Sequence, residues 1–215
     1  MTDKKRKFFT AGVLFLGLFL TLLILAKTMN VQAIGPEGSK VGLADLNRLV
    51  STAFPFSRGW YVLTQILGWL SLLLAALFAA AGALELYDRK SLLKVDKEIL
   101  VMGVLFAVTI ILFVFFNKVA VNYRPVIVDA EEGLEASFPS SHTLLVVTVF
   151  GAAMFALRKL ARNKKFLRIS DAVCITVIVV MVLGRIFSGV HWITDIVAGL
   201  FLSLSLLNFY KAFIE

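Results

Sequence analysis

The chain has one cysteine, two histidines and four prolines in 215 residues, and 17% of its residues are charged. One cysteine excludes a disulfide framework; Cys174, set in an apolar run, reads as a small buried hydrophobe. With two histidines and no Cys/His or carboxylate cluster at ligand spacing, nothing suggests a metal centre, so no metal and no cofactor are expected. So few charges exclude a soluble globular domain, where about a quarter of the residues are charged. No internal repeat or low-complexity tract is evident beyond the alanine-rich stretch Ala75 to Ala83.

What is present is apolar: 60% of the residues are hydrophobic and the mean hydropathy is +0.90. Apolar runs of about 18 residues are candidate membrane spans. Six are expected, at about Phe8–Leu25, Trp60–Leu86, Ile99–Phe116, Thr143–Leu157, Ala172–Phe187 and Trp192–Phe209. Lys4-Lys5-Arg6-Lys7 before the first run, with Val31-Gln32-Ala33 after it, has some character of a signal peptide. The apolar stretch is long for that role and is read as a span. Lipid obliges each segment to satisfy its own backbone, so the spans should be helices. The expected fold class is all-α: a polytopic membrane protein of six transmembrane helices. Residues 1–215 would form a single membrane-embedded domain with a short basic N-terminus, 1–7. A short surface helix is expected near Leu43 to Phe54.

The net charge is +8, but the basic residues sit between spans rather than on an amphipathic face. That distribution speaks for topology and anionic-lipid contacts, not for nucleic acid. With a cytoplasmic N-terminus, 15 of the 22 basic residues fall on the cytoplasmic side. This is the excess that the positive-inside rule requires. The expected location is the plasma (inner) membrane, multi-pass. Segments 117–125, 139–143 and 184–195, which hold the unusual polar residues, then share the extracytoplasmic face.

Phe138-Pro139-Ser140-Ser141-His142-Thr143 precedes a long apolar run and reads as a helix N-terminus, with Pro in the first turn and Ser at the cap. Such an end presents free N–H groups and the positive pole of the helix, and so suits an anion. Lys118, Arg124 and Arg185 add cations, and arginine matches phosphate oxygens with paired donors. His191 and Asp195 are four residues apart. On a helix they share a face, and a carboxylate on one ring nitrogen would leave the other free to attack. His142 would then serve as general acid and later as base. The cations supply the charge stabilisation otherwise expected of a metal.

Arg124-Pro125, Pro139-Ser140-Ser141-His142 and Arg185…His191…Asp195 together resemble the type 2 phosphatidic acid phosphatase family of integral membrane lipid phosphatases. The resemblance implies six spans, an outward-facing site and hydrolysis of a lipid phosphate or diphosphate. It assigns His191 as the nucleophile that forms a phosphohistidine, Asp195 as its partner and His142 as the acid. Arg124, Arg185, Ser140 and the backbone near Ser141 would hold the phosphate. The substrate would be an isoprenyl diphosphate, a phosphatidylglycerol phosphate or phosphatidic acid, met in the bilayer; the oligomeric state is left open.

Three positions depart from the family pattern. Asn117 occupies the lysine position, with Lys118 one residue late and about 100° round a helix; its long stem is expected to snorkel back to the site. Ser141 replaces glycine, and Gly184 replaces the serine before Arg185. Alternative readings are a lipid phosphotransferase, a non-catalytic lipid-phosphate binder or a transporter. An intramembrane serine protease lacks a suitable Gly-x-Ser motif paired with histidine. Asp129, Glu131, Glu132 and Glu135 read as a solvated loop, with a lid as the functional alternative. Trp192 reads as an interfacial anchor, and Gly151 and Gly199 as close helix packing.

Overall fold

The computed structural model describes residues 2–215. Among the described residues it has seven α-helices: α1 Asp3–Thr28, α2 Ala44–Ala53, α3 Arg58–Arg89, α4 Lys97–Lys118, α5 Ser141–Leu160, α6 Lys164–Phe187 and α7 Ile193–Ile214. Six of them, all but α2, are long and apolar enough to cross a membrane. This is a multi-pass membrane protein, and α2 is the short surface helix expected near Leu43.

The spans are longer than their apolar runs because polar residues at each end continue the helix out of the hydrocarbon. The basic loop expected over Arg158 to Asp171 is the clearest case. It shrinks to residues 161–163, and Asn163 Oδ1 caps α6 by accepting from the Lys165 and Phe166 amides at 3.0 and 3.1 Å. Arg158 instead reaches Asp171 at 2.9 Å.

Helices α5 and α7 form the inside of the bundle, while α1, α3, α4 and α6 leave most of their surface facing outward. In lipid there is little hydrophobic drive between helices, so close association depends on small residues and local hydrogen bonds. Gly199 and Gly151 supply the closeness between α5 and α7. A Cβ at Gly199 would lie 3.0 Å from Ser140 O, and one at Gly151 would lie 2.5 Å from Leu207 Cδ1. Ser205 Oγ donates to Gly12 O at 2.9 Å and ties α1 to α7.

Helices α4 and α6 end, and α5 and α7 begin, at one end of the bundle. The opposite end gathers Lys4 and Lys159 around the Glu215 carboxylate, at 2.7 and 3.5 Å. Between α4 and α5 the chain folds back on itself. Tyr123 and Ala136 form an antiparallel bridge flanked by Arg124 N–H to Glu135 O and Ser137 N–H to Asn122 O, both 3.0 Å. Side chains alternate along such a pair, so Asn122, Arg124, Glu135 and Ser137 share one side.

Candidate active site

That side faces the start of α7. Asp195 is the third residue of α7, and its carboxylate accepts the Trp192 amide at 3.0 Å, which caps the helix. The same carboxylate accepts from Asn122 Nδ2 at 3.1 Å and from Ser137 Oγ at 2.5 Å. His191 is not on the helix: it lies one residue before the cap, in the turn after α6. Its Nδ1 is 3.6 Å from Asp195 Oδ2, beyond hydrogen-bond length, and 3.0 Å from Ser137 Oγ. The expected His–Asp bond is therefore replaced by a serine hydroxyl standing between the two.

Ser140 is the N-cap of α5, as expected, but Pro139 precedes the cap instead of filling the first turn. Ser140 Oγ accepts from Thr143 Oγ1 at 3.0 Å, and its amide donates to Asp195 O at 2.9 Å. The start of α5 is thus locked to the start of α7. Ser141 and His142, both half-buried, follow in the first turn.

Arg185 is completely buried at the end of α6. Its Nη1 donates to Thr64 Oγ1 of α3 at 3.0 Å. The approach of α3 depends on Gly184, where a Cβ would stand 2.7 Å from Thr64 Cγ2. The glycine that departs from the family serine therefore makes room for a threonine partner to the arginine. The turn to His191 needs Gly189, at φ +64°, where a Cβ would strike the Phe54–Phe56 backbone at 2.7 Å. Arg124 is held by Glu135 at 3.0 Å.

Several buried polar atoms here have no hydrogen-bond partner among the described residues. They are Arg124 Nε, Arg185 Nε and Nη2, His142 Nδ1 and His191 Nε2. Buried donors without partners are costly, more so on a charged group. The His191 imidazole is pushed well below its usual pKa, first by burial and then by Arg185, Arg124 and His142, with a main-chain contact at Ser137 acting the other way. It is neutral at pH 7, and Nε2 is a free lone pair when Nδ1 carries the proton.

Lys118 does not join this group. It is exposed at the end of α4 and forms no hydrogen bond or ion pair with the other site residues among the described residues. Asn117, at the family position, is exposed as well, its Nδ2 donating to Phe113 O at 2.8 Å, so the one-residue offset does not account for the exposure of Lys118. Trp192, expected at the interface, is 2% exposed, and its Nε1 donates to Tyr123 O at 2.7 Å, pinning the fold-back to α7. Ser137, Asn122 and Thr64 carry no signal of their own in the sequence. Serine, asparagine and threonine are common there, and only the fold brings them to the charged residues.

A model of the PAP2 superfamily matches residues 99–215, more than half of the chain. The chain belongs to the PAP2 superfamily. A solved structure is similar along nearly its whole length: the first transmembrane PAP2 type phosphatidylglycerolphosphate phosphatase from Bacillus subtilis. It covers 94% of each chain with a TM-score of 0.62 at 22% identity, a likeness of fold. Among curated proteins no match was found. The family match contains Arg124, His142, Arg185, His191 and Asp195; Thr64, which pairs with Arg185, lies outside it on α3.

Proposed function

We propose that this protein hydrolyses a lipid phosphate or diphosphate through a phosphohistidine on His191. One observation carries the reading: unpartnered nitrogens of two arginines and two histidines are buried together at one end of the bundle. A phosphate offers oxygens to the guanidinium donors and a phosphorus atom to the free His191 lone pair. His191 Nε2 attacks phosphorus, and the ester bond breaks. The negative charge of a bound phosphate favours the imidazolium form of His142, which protonates the leaving oxygen. Water then attacks phosphorus, the N–P bond breaks and His142 takes the water's proton. Arg124, Arg185, Ser140 and the first-turn backbone at Ser141 hold the phosphate. The guanidinium groups supply the charge stabilisation, so turnover should survive chelators.

Family membership supports a phosphatase. A lipid substrate is supported by a cavity of about 460 Å³ between α3, α4 and α5. His142 and Ser141 lie at its polar end; Leu72, Ile110 and Val114 line it, and all three are exposed on the outer surface of the bundle. An apolar chain could lie there with its phosphate at the histidines. Isoprenyl diphosphate, phosphatidylglycerol phosphate and phosphatidic acid all have this form. The excess of basic residues at the opposite end supports a site on the extracytoplasmic face, and the membrane we propose is the plasma membrane.

The deciding experiment is phosphate release by purified protein from vesicles carrying each of these lipids. Turnover that His191→Ala abolishes supports the reading. Phosphate appearing on an acceptor lipid instead of in water would make the protein a transferase. Ligand binding without turnover in the unaltered protein would make it a binder.

A further inference from the structure

We propose that Ser137 is a positioning residue for His191, its hydroxyl joining the Nδ1 N–H to the Asp195 carboxylate. The inference rests on the reading of His191 as nucleophile. The distances require an intermediary, because the direct gap is 3.6 Å whereas Ser137 Oγ lies 3.0 Å from one partner and 2.5 Å from the other.

The direction of the hydrogen bonds follows from what else the carboxylate receives. Trp192 N–H and Asn122 Nδ2 already donate to it. These two bonds favour the anion, which can only accept. Ser137 therefore donates its one hydrogen to Asp195 and accepts the Nδ1 proton of His191. This tautomer leaves the lone pair on Nε2, the atom without a partner among the described residues.

During phosphoryl transfer the Nε2 lone pair forms the N–P bond, the P–O bond to the lipid breaks, and the leaving oxygen takes a proton from His142. The imidazole ring then carries a positive charge. It is balanced by Asp195 through the serine hydroxyl. When water displaces the phosphate, the N–P electrons return to Nε2 and the charge disappears. No net proton crosses Ser137, so its contribution is alignment and charge stabilisation.

A purely structural role can be separated from this one. The fold-back uses the Ser137 amide, which donates to Asn122 O whatever the side chain. Ser137→Ala keeps that bond and removes only the hydroxyl; Ser137→Thr restores it. The assay uses whichever of phosphatidic acid, phosphatidylglycerol phosphate or isoprenyl diphosphate the unaltered protein hydrolyses fastest, with orthophosphate as competing inhibitor. Charges facing His191 in any pH profile are Arg185 on α6, Arg124 on the fold-back, His142 on α5 and Asp195 on α7.

Expected for Ser137→Ala is a kcat lower by about 10- to 100-fold, as for loss of a hydrogen bond to a charged group. KM and orthophosphate inhibition should stay within about threefold. Base-stable phosphoenzyme, trapped by rapid quench, should form more slowly by the same factor as kcat. Ser137→Thr should recover part of the rate. A Ser137→Ala protein with wild-type kcat overturns the inference, as does one in which KM and orthophosphate inhibition are lost in parallel with kcat and Thr gives no rescue. His191→Ala is run beside it. If that variant still turns over, the nucleophile assignment fails; if it is dead while Ser137→Ala is unchanged, only the bridge fails.

Discussion

Arg124 and Glu135 are clasped twice, guanidinium to carboxylate at 3.0 Å and amide to carbonyl at 3.0 Å. Glu135 therefore sits on a cation that the proposed reaction needs for phosphate. A carboxylate there is a competitor for the substrate, and a charged hydrogen bond is worth about 1.5–3 kcal/mol.

Glu135→Gln keeps the shape of the side chain and removes its charge. We expect tighter inhibition by orthophosphate and a KM lower by about 3- to 10-fold, with stability little changed. Steady-state kinetics with increasing orthophosphate check this. An unchanged inhibition constant would mean that Arg124 engages phosphate without releasing Glu135.

Thr64 gives the Arg185 guanidinium its one hydrogen bond among the described residues. Thr64→Val leaves that buried donor unpaired, at a cost of about 1–3 kcal/mol. Thermal unfolding in detergent should show the lower stability, and KM should rise about 5- to 10-fold as the guanidinium loses its anchor. A variant with wild-type KM would show that Arg185 is positioned by its buried stem alone.

Restoring the family serine at position 184 should harm this protein. The added Cβ meets Thr64 Cγ2 at 2.7 Å, and overpacking of this kind costs about 1–3 kcal/mol. Gly184→Ser and Gly184→Ala should both lower the melting temperature and raise KM. If Ser were more active than Ala by over about tenfold, the hydroxyl would be making a phosphate contact that outweighs the crowding.

His191 makes stability depend on pH in a definite direction. Its pKa is lowered in the folded protein, while the unfolded chain titrates near the ordinary value of about 6.5. Above about pH 6.5 both states are neutral and the contribution is present in full. As the pH falls below that value the unfolded state takes up the proton first, and stability is lost by up to about 1.4 kcal/mol per pH unit until the lowered folded pKa is reached. Melting curves between pH 5 and 8 should show this slope, and His191→Asn should reduce it.

The spans were legible because lipid demands long apolar runs, and Arg124, His142, Arg185, His191 and Asp195 stand out as candidates because charge and imidazole are scarce in such a chain. The errors are of a different kind. Four-residue spacing implied a shared helical face for His191 and Asp195, but the helix starts after His191, and the carboxylate serves as its cap. Lys118 has a long stem, but it is exposed at the end of α4. Ser137 is 58 residues from Asp195, and Thr64 is 121 from Arg185; only the fold-back and the α3–α6 contact bring such partners together.

Because Lys4 and Glu215 touch, reporter groups attached beside either one must label the same compartment. A third reporter in the acidic stretch between Arg124 and Glu135 must label the other. Those three labels would read the sidedness of the enzyme in living cells without any assay of its chemistry.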